Sequence, residues 1–132
     1  MHRRTRVLPV VQGLLEDDGK VLLGKRGERP YTGCWDIPGG VVNESENLMS
    51  ALRREYREET GLEVRDAVLK DVFHYPGNGG GRAIFVLYYI TSYTGKLSPT
   101  PELVDLKFFD RSELKKLDLT PWSKHFLSHQ CT

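Results

Sequence analysis

The chain has 132 residues, 39% of them hydrophobic, which suits one domain with a real core and leaves no room for a second. Its 19 basic and 18 acidic side chains give a formal charge of +1, so the balance points to neither a nucleic-acid duplex nor an anionic membrane as partner. The one basic run, His2 to Arg6, reads as a solvated terminus. Cys34 and Cys131 lie far apart without metal-type spacing, which fits reduced thiols and a cytoplasmic setting. No stretch is apolar for long enough to span a bilayer. The segment VLPVVQGLL, broken by Pro9 and Gln12, has no convincing cleavage site after it.

Residues 5–15 predict a strand, Glu16 to Gly19 a tight turn carrying an Asp-Gly pair, and Lys20 to Lys25 the hairpin partner. Asn43 and Glu46 have the spacing of a capping box, which starts a helix at about residue 44. Gly61 can supply its left-handed stop. Residues 62–74, 82–92 and 103–109 read as strands, the middle one apolar enough to be central. Asp110 with Glu113 makes a second capping box, and Thr120-Pro121 opens a last helix carrying Trp122 and Phe126. The Gly-rich run from Pro76 to Arg82 lacks the Gly-Lys-Ser/Thr ending and the following helix of a phosphate loop, and reads as a strand connection.

The predicted helix carries the chemistry. At about 100° per residue, Leu48, Leu52 and Tyr56 line one stripe, and Glu55 and Glu59 project into it. With Glu58 they form three carboxylates near the helix C-terminus, where the dipole favours cations. The charges alone also fit a solvated face laced by Arg53, Arg54 and Arg57. The inward angle of Glu55 and Glu59 favours a ligand set instead. Clustered carboxylates need positive charge to stay ionised, and oxygen donors without His or Cys suit Mg2+ or Mn2+. Since Mg2+ commonly shares its sphere with substrate phosphates, the substrate leans towards phosphate esters.

Read as Gly40, Glu46, Arg54-Glu55, Tyr56, Arg57, Glu58-Glu59, Thr60, Gly61 and Leu62, the segment resembles the signature of the Nudix hydrolases along its whole length. The one departure is Tyr56, where the family usually carries an aliphatic residue, and a tyrosine ring can still be buried there. The flanks VLLGKRG (21–27), Trp35-Asp36-Ile37-Pro38-Gly39-Gly40 and LKFFDRSEL (106–114) extend the likeness over most of the chain. The resemblance implies a single α/β domain over residues 1–132, an α/β/α sandwich with a mixed sheet. It also implies Mg2+-dependent hydrolysis, with Mn2+ as a substitute, of a nucleoside diphosphate linked to another group. Candidate substrates are a nucleoside triphosphate or oxidised nucleotide, ADP-ribose or a related dinucleotide. Two other readings stand beside it: a module that senses a nucleotide without turnover, and an isomerase on the same fold.

By the same resemblance Glu55, Glu58 and Glu59 match the metal-binding glutamates, and Gly40 lends its backbone carbonyl. Glu46 and Arg54 match a supporting salt bridge. A general base would be Glu58, Glu59 or Glu102, the last because relatives place an acidic residue in the corresponding loop, with Asp105 as a competitor. Arg26 and Arg29 are candidates for phosphate oxygens, and Tyr31, Trp35 and Tyr75 for stacking on a base, each equally readable as packing or surface. His74, His125 and His129 show no ligand spacing and read as structural or exposed. The implied partner is a small-molecule nucleotide, with a homodimer left open.

Overall fold

The computed structural model describes residues 6–77 and 82–130. Strand β1 (Val7–Leu14) is followed by the two-residue stub β2 (Glu16–Asp17), which turns through Asp18 and Gly19 into β3 (Lys20–Arg26). Both turn residues hold positive φ, 52° and 75°, the conformation that an Asp-Gly pair tolerates in a two-residue hairpin. The expected hairpin is therefore present, with a correction. Its arms are β2 and β3, while β1 leaves for a different sheet. Leu15 has a buried side chain and Gln12 has a polar one at 2% exposure, so the chain is pinned inside the core on either side of the crossover.

Two four-stranded sheets make up the scaffold. In the mixed sheet, β5 (Gly39–Val41), β1, β7 (Arg82–Gly95) and β6 (Leu62–Tyr75) lie side by side, with β1 and β7 parallel and the other pairs antiparallel. The central place expected for 82–92 is where β7 sits. In the second sheet β3 lies between β4 (Trp35–Asp36) and β8 (Leu103–Asp110), with β2 beside it.

Alternation along β7 sends Val86, Tyr88 and Ile90 to one face and Phe85 and Leu87 to the other. The first face packs on helix α1 (Leu48–Thr60) through Ala51, Leu52 and Tyr56. The second packs on helix α2 (Pro121–Gln130) through Trp122, Phe126 and Leu127. This is a mixed sheet between helices, as the sequence implies. Tyr56 is fully buried, and its hydroxyl donates to the Gly13 carbonyl at 2.7 Å, so the phenol in the apolar stripe brings its own partner. Leu48 departs from that stripe and is 37% exposed. None of the described helices is long and apolar enough to cross a membrane.

Helix α1 starts four residues later than its sequence signal. The Asn43 N–H does donate to Glu46 Oε1 at 3.0 Å, but this pair closes a turn ahead of the helix. The N-cap is Asn47, whose side chain accepts from Ser50 N–H at 2.8 Å. Gly61 ends the helix at φ 80°, as expected. The second box also forms, with Asp110 N–H donating to Glu113 at 2.9 Å, and it caps a 3-10 turn over Arg111–Lys116.

Candidate active site

The C-terminal half of α1 packs on β5, where two glycines leave room for the Glu55 carboxyl and for the neighbouring strand. A Cβ on Gly40 would stand 2.3 Å from the Glu55 carboxyl carbon, and one on Gly39 would stand 1.9 Å from the Val11 carbonyl oxygen. Glu59 Oε1 accepts from the Gly39 N–H at 2.8 Å. Glu102 comes from the loop ahead of β8, and oxygens of Glu55, Glu59 and Glu102 lie within 4.8 Å of one another. The trio expected from the helix was Glu55, Glu58 and Glu59. Glu58 lies outside that group. Its carboxylate is 56% exposed and receives Arg54 Nη1 at 3.1 Å, because the next turn of a 3.6-residue spiral swings position 58 outwards.

Arg54 braces the cluster. Its guanidinium grips Glu46 through Nε (2.6 Å) and Nη2 (2.8 Å), and reaches the Val41 carbonyl at 3.1 Å and Glu55 Oε1 at 2.7 Å. The bidentate pair, aided by the Asn43 N–H, holds Glu46 down at about 2, and the same pairing raises Arg54. Burial raises Glu55, opposed by Arg54. Burial also pushes Glu59 up to about 9 against the pull of the Gly39 N–H, with Glu55, Asp36 and Glu102 adding repulsion. A buried carboxyl with like charges around it ionises readily only beside positive charge.

From this cluster a cleft of about 730 Å3 runs across β1 and β7 to an aromatic end. That volume falls in the range of small-ligand sites, about 300–1,000 Å3. Tyr31 and Tyr75 line it, with their hydroxyls 2.8 Å apart and their rings each 5.4 Å from Trp122, edge to face. Trp122 stacks on Phe85 with centroids 4.5 Å apart. Tyr31 holds φ 61°, a left-handed conformation costing of order 1 kcal/mol for a residue with a Cβ. Arg26 also lines the cleft, tied to the Pro30 carbonyl at 2.7 Å and to Asp36 Oδ2 at 3.3 Å.

Other sequence candidates fall elsewhere. Arg29 is exposed and outside the cleft lining. Trp35 packs edge-on against Phe109 at 4.8 Å, a core contact rather than a stacking platform. Asp105 sits on β8 opposite Lys25, away from the carboxylate group. His74 is exposed, and His125 stacks on Phe73 at 4.1 Å. Cys34 is a half-buried free thiol. The Asn78 to Gly81 part of the Gly-rich run, the basic residues ahead of Arg6, the His129 side chain and Cys131 lie outside the described residues.

Sequence reasoning passed over Asp36, Gln12 and Trp122, which together floor and wall the cleft. A signal existed for two of them. Gln12 is a polar residue in the apolar run VVQGLL, and Asp36 is an acid between a tryptophan and an isoleucine.

A NUDIX domain family model matches residues 4–130. An ADP-ribose pyrophosphatase from Methanocaldococcus jannaschii is 35% identical over 108 residues, 81% of this chain and 64% of that relative, so the match spans less than two thirds of the other protein's length. The nucleoside triphosphatase NudI of Salmonella agona is 29% identical across 97% of this chain and 96% of its own. Among solved structures, a MutT NUDIX hydrolase from Burkholderia pseudomallei superposes with a TM-score of 0.84 at 26% identity, covering 93% of this chain and 97% of the other. The chain belongs to the NUDIX domain family.

Proposed function

We propose that this protein is a divalent-metal-dependent pyrophosphohydrolase that cleaves a nucleoside diphosphate linked to another group. The observation that carries the reading is the convergence of Glu55, Glu59 and Glu102 oxygens within 4.8 Å at one end of a nucleotide-sized cleft. The donor set fits Mg2+ or Mn2+, being all oxygen, with neither His nor Cys among the cleft residues. The high proton affinity of Glu59 fits as well, since a cation would displace that proton. Glu55 and Glu59 would hold the ion together with the Gly40 carbonyl and one oxygen of Glu102, and Glu58 is one turn away to complete the shell. When bound, such an ion makes a water nucleophilic and neutralises charge on the diphosphate.

The chain's own residues supply the rest. Arg54 and Glu46 keep Glu55 from swinging out. Glu102, exposed and facing the two helical carboxylates, accepts the proton of the attacking water as its oxygen bonds to phosphorus and the bridging P–O bond breaks. Arg26 offers guanidinium hydrogens to the phosphate oxygens at the neighbouring rim. Tyr31, Tyr75 and Trp122 form an apolar wall suited to the base. The two relatives' names support ADP-ribose and nucleoside triphosphates as the first substrates to try.

The test is a turnover screen with Mg2+ that reads phosphate and pyrophosphate release from nucleoside triphosphates and oxidised triphosphates, and phosphate freed by added alkaline phosphatase from the monoester products of ADP-ribose and dinucleoside polyphosphates. The Glu55→Gln variant and an EDTA control run alongside. Turnover of one class, lost in both controls, is the expected result. Activity that persists in chelator would overturn the metal mechanism, and tight binding without turnover would move the protein to a sensing role.

A further inference from the structure

Asp36 is 6% exposed and stands where three elements meet. Its Oδ1 accepts from Gln12 Nε2 on β1 at 3.1 Å, and from Thr120 Oγ1 (2.9 Å), Trp122 Nε1 (2.9 Å) and Ser123 Oγ (2.5 Å) at the start of α2. Its Oδ2 accepts from Arg26 Nη1 on β3 at 3.3 Å. A carboxylate this buried is costly unless a cation and several donors face it, and here one cation and four donors do. Three of those five partners, Gln12, Arg26 and Trp122, line the cleft. Arg26 pairs in register with Leu103, the residue after Glu102, and the Gly27 N–H donates to the Glu102 carbonyl at 3.0 Å. Trp122 belongs to the aromatic end with Tyr31, Tyr75 and Phe85.

The geometry points to Asp36 as a positioning residue that sets the spacing between the phosphate end and the base end of the substrate cleft. One carboxylate fixes both the guanidinium carried by the strand that pairs with the Glu102 segment and the indole of the aromatic wall. This inference rests on the nucleotide reading above. It also explains why an acid is tolerated in so dry a place. The link reaches the metal end as well, because the Ile37 N–H next in sequence donates to Ser123 Oγ at 2.9 Å, and Gly39 follows two residues on.

Asp36→Asn keeps the volume and one acceptor, but turns an amide N–H2 towards Arg26, donor against donor. The guanidinium is released while the other ties can stay. With the nucleotide that the release screen identifies, the Asp36→Asn variant should show a KM raised about tenfold. Its kcat should change by a smaller factor than its KM, since Asp36 is tied to the metal end only indirectly, through Ser123 and Ile37. A double-mutant cycle separates positioning from general support. In an Arg26→Ala background, Asp36→Asn should add little further loss, because the partner through which it acts is already gone.

An unchanged KM, or a loss that adds fully to that of Arg26→Ala, would overturn the inference. Should Asp36→Asn fail to fold by circular dichroism, Thr120→Val decides. It keeps the side-chain shape and removes the O–H tie to Asp36 from a residue outside the cleft lining, so a raised KM supports the positioning role and a wild-type KM sinks it. Wild-type protein that turns over no nucleotide defeats the underlying functional reading instead, and the two failures are thereby told apart.

Discussion

At the scale of single residues, the site is defined by what is missing at Gly40 and by what is buried at Glu59. A methyl group on Gly40 would meet the Glu55 carboxyl at 2.3 Å. That neighbour is the end of a flexible chain, so it can move at little cost in stability but not without leaving its place. Gly40→Ala should therefore cut turnover by about tenfold or more, with a raised Mg2+ requirement, while the melting temperature drops by only a few degrees. A variant with wild-type metal dependence would show that Glu55 is not held against this glycine. Glu59 yields a pH prediction. Its carboxyl is raised from an ordinary 4.5 to about 9, so between those values the unfolded chain ionises this group and the metal-free fold does not. The stability it permits is complete below about 4.5 and is lost as pH rises towards 9. Thermal melts in EDTA should fall across that window, Glu59→Gln should flatten the slope, and Mg2+ should flatten it in the wild type. Equal slopes in variant and wild type would remove Glu59 as the cause.

At the scale of elements, helix α1 is held at both ends by devices of unequal strength. Asn47→Ala loses a cap worth about 1 kcal/mol, a fall in melting temperature of roughly 3–5 °C for a chain of this size. Gly61→Ala asks alanine to take φ 80° and puts its Cβ 2.8 Å from the Lys96 carbonyl oxygen, so it should cost more than the cap does. Melts that rank the two the other way round would contradict the capping geometry. These ends also mark what local sequence can and cannot say. Gly61 is legible because a left-handed stop is a property of one residue. The start was misplaced because Asn43–Glu46 and Asn47–Ser50 offer similar local chemistry, and only packing of Ala51 and Leu52 against β1 and β7 decides which pair opens the helix. The hairpin shows the same division. Asp18-Gly19 announces the turn, but sheet membership of β1 depends on its parallel pairing with β7, seventy or more residues away.

At the scale of the molecule, the candidate site joins parts that sequence proximity does not connect. Glu55 and Glu59 stand on a helix packed against the mixed sheet, while Glu102 hangs from the second sheet just ahead of β8. The helical carboxylates were readable from spacing and the supporting Glu46–Arg54 pair from resemblance. The Asp36 network was not, since its partners come from positions 12, 26 and 120–123. A cation shared by Glu55, Glu59 and Glu102 would tie the two sheets together across this gap. Any ligand that binds only the folded state stabilises it by RT ln(1 + [L]/Kd), about 2.7 kcal/mol at a hundredfold excess over Kd. The stabilisation should be local as well as global. In hydrogen exchange followed by mass spectrometry, Mg2+ should slow the Pro99–Glu102 segment and β5 more than it slows β6, which lies at the far edge of the mixed sheet. Glu102→Gln should lose the effect at 99–102 and keep part of it at β5, because Glu59 still holds the Gly39 N–H. Uniform slowing in wild type and variant alike would mean that Glu102 takes no part in holding the ion, leaving it free for proton transfer alone.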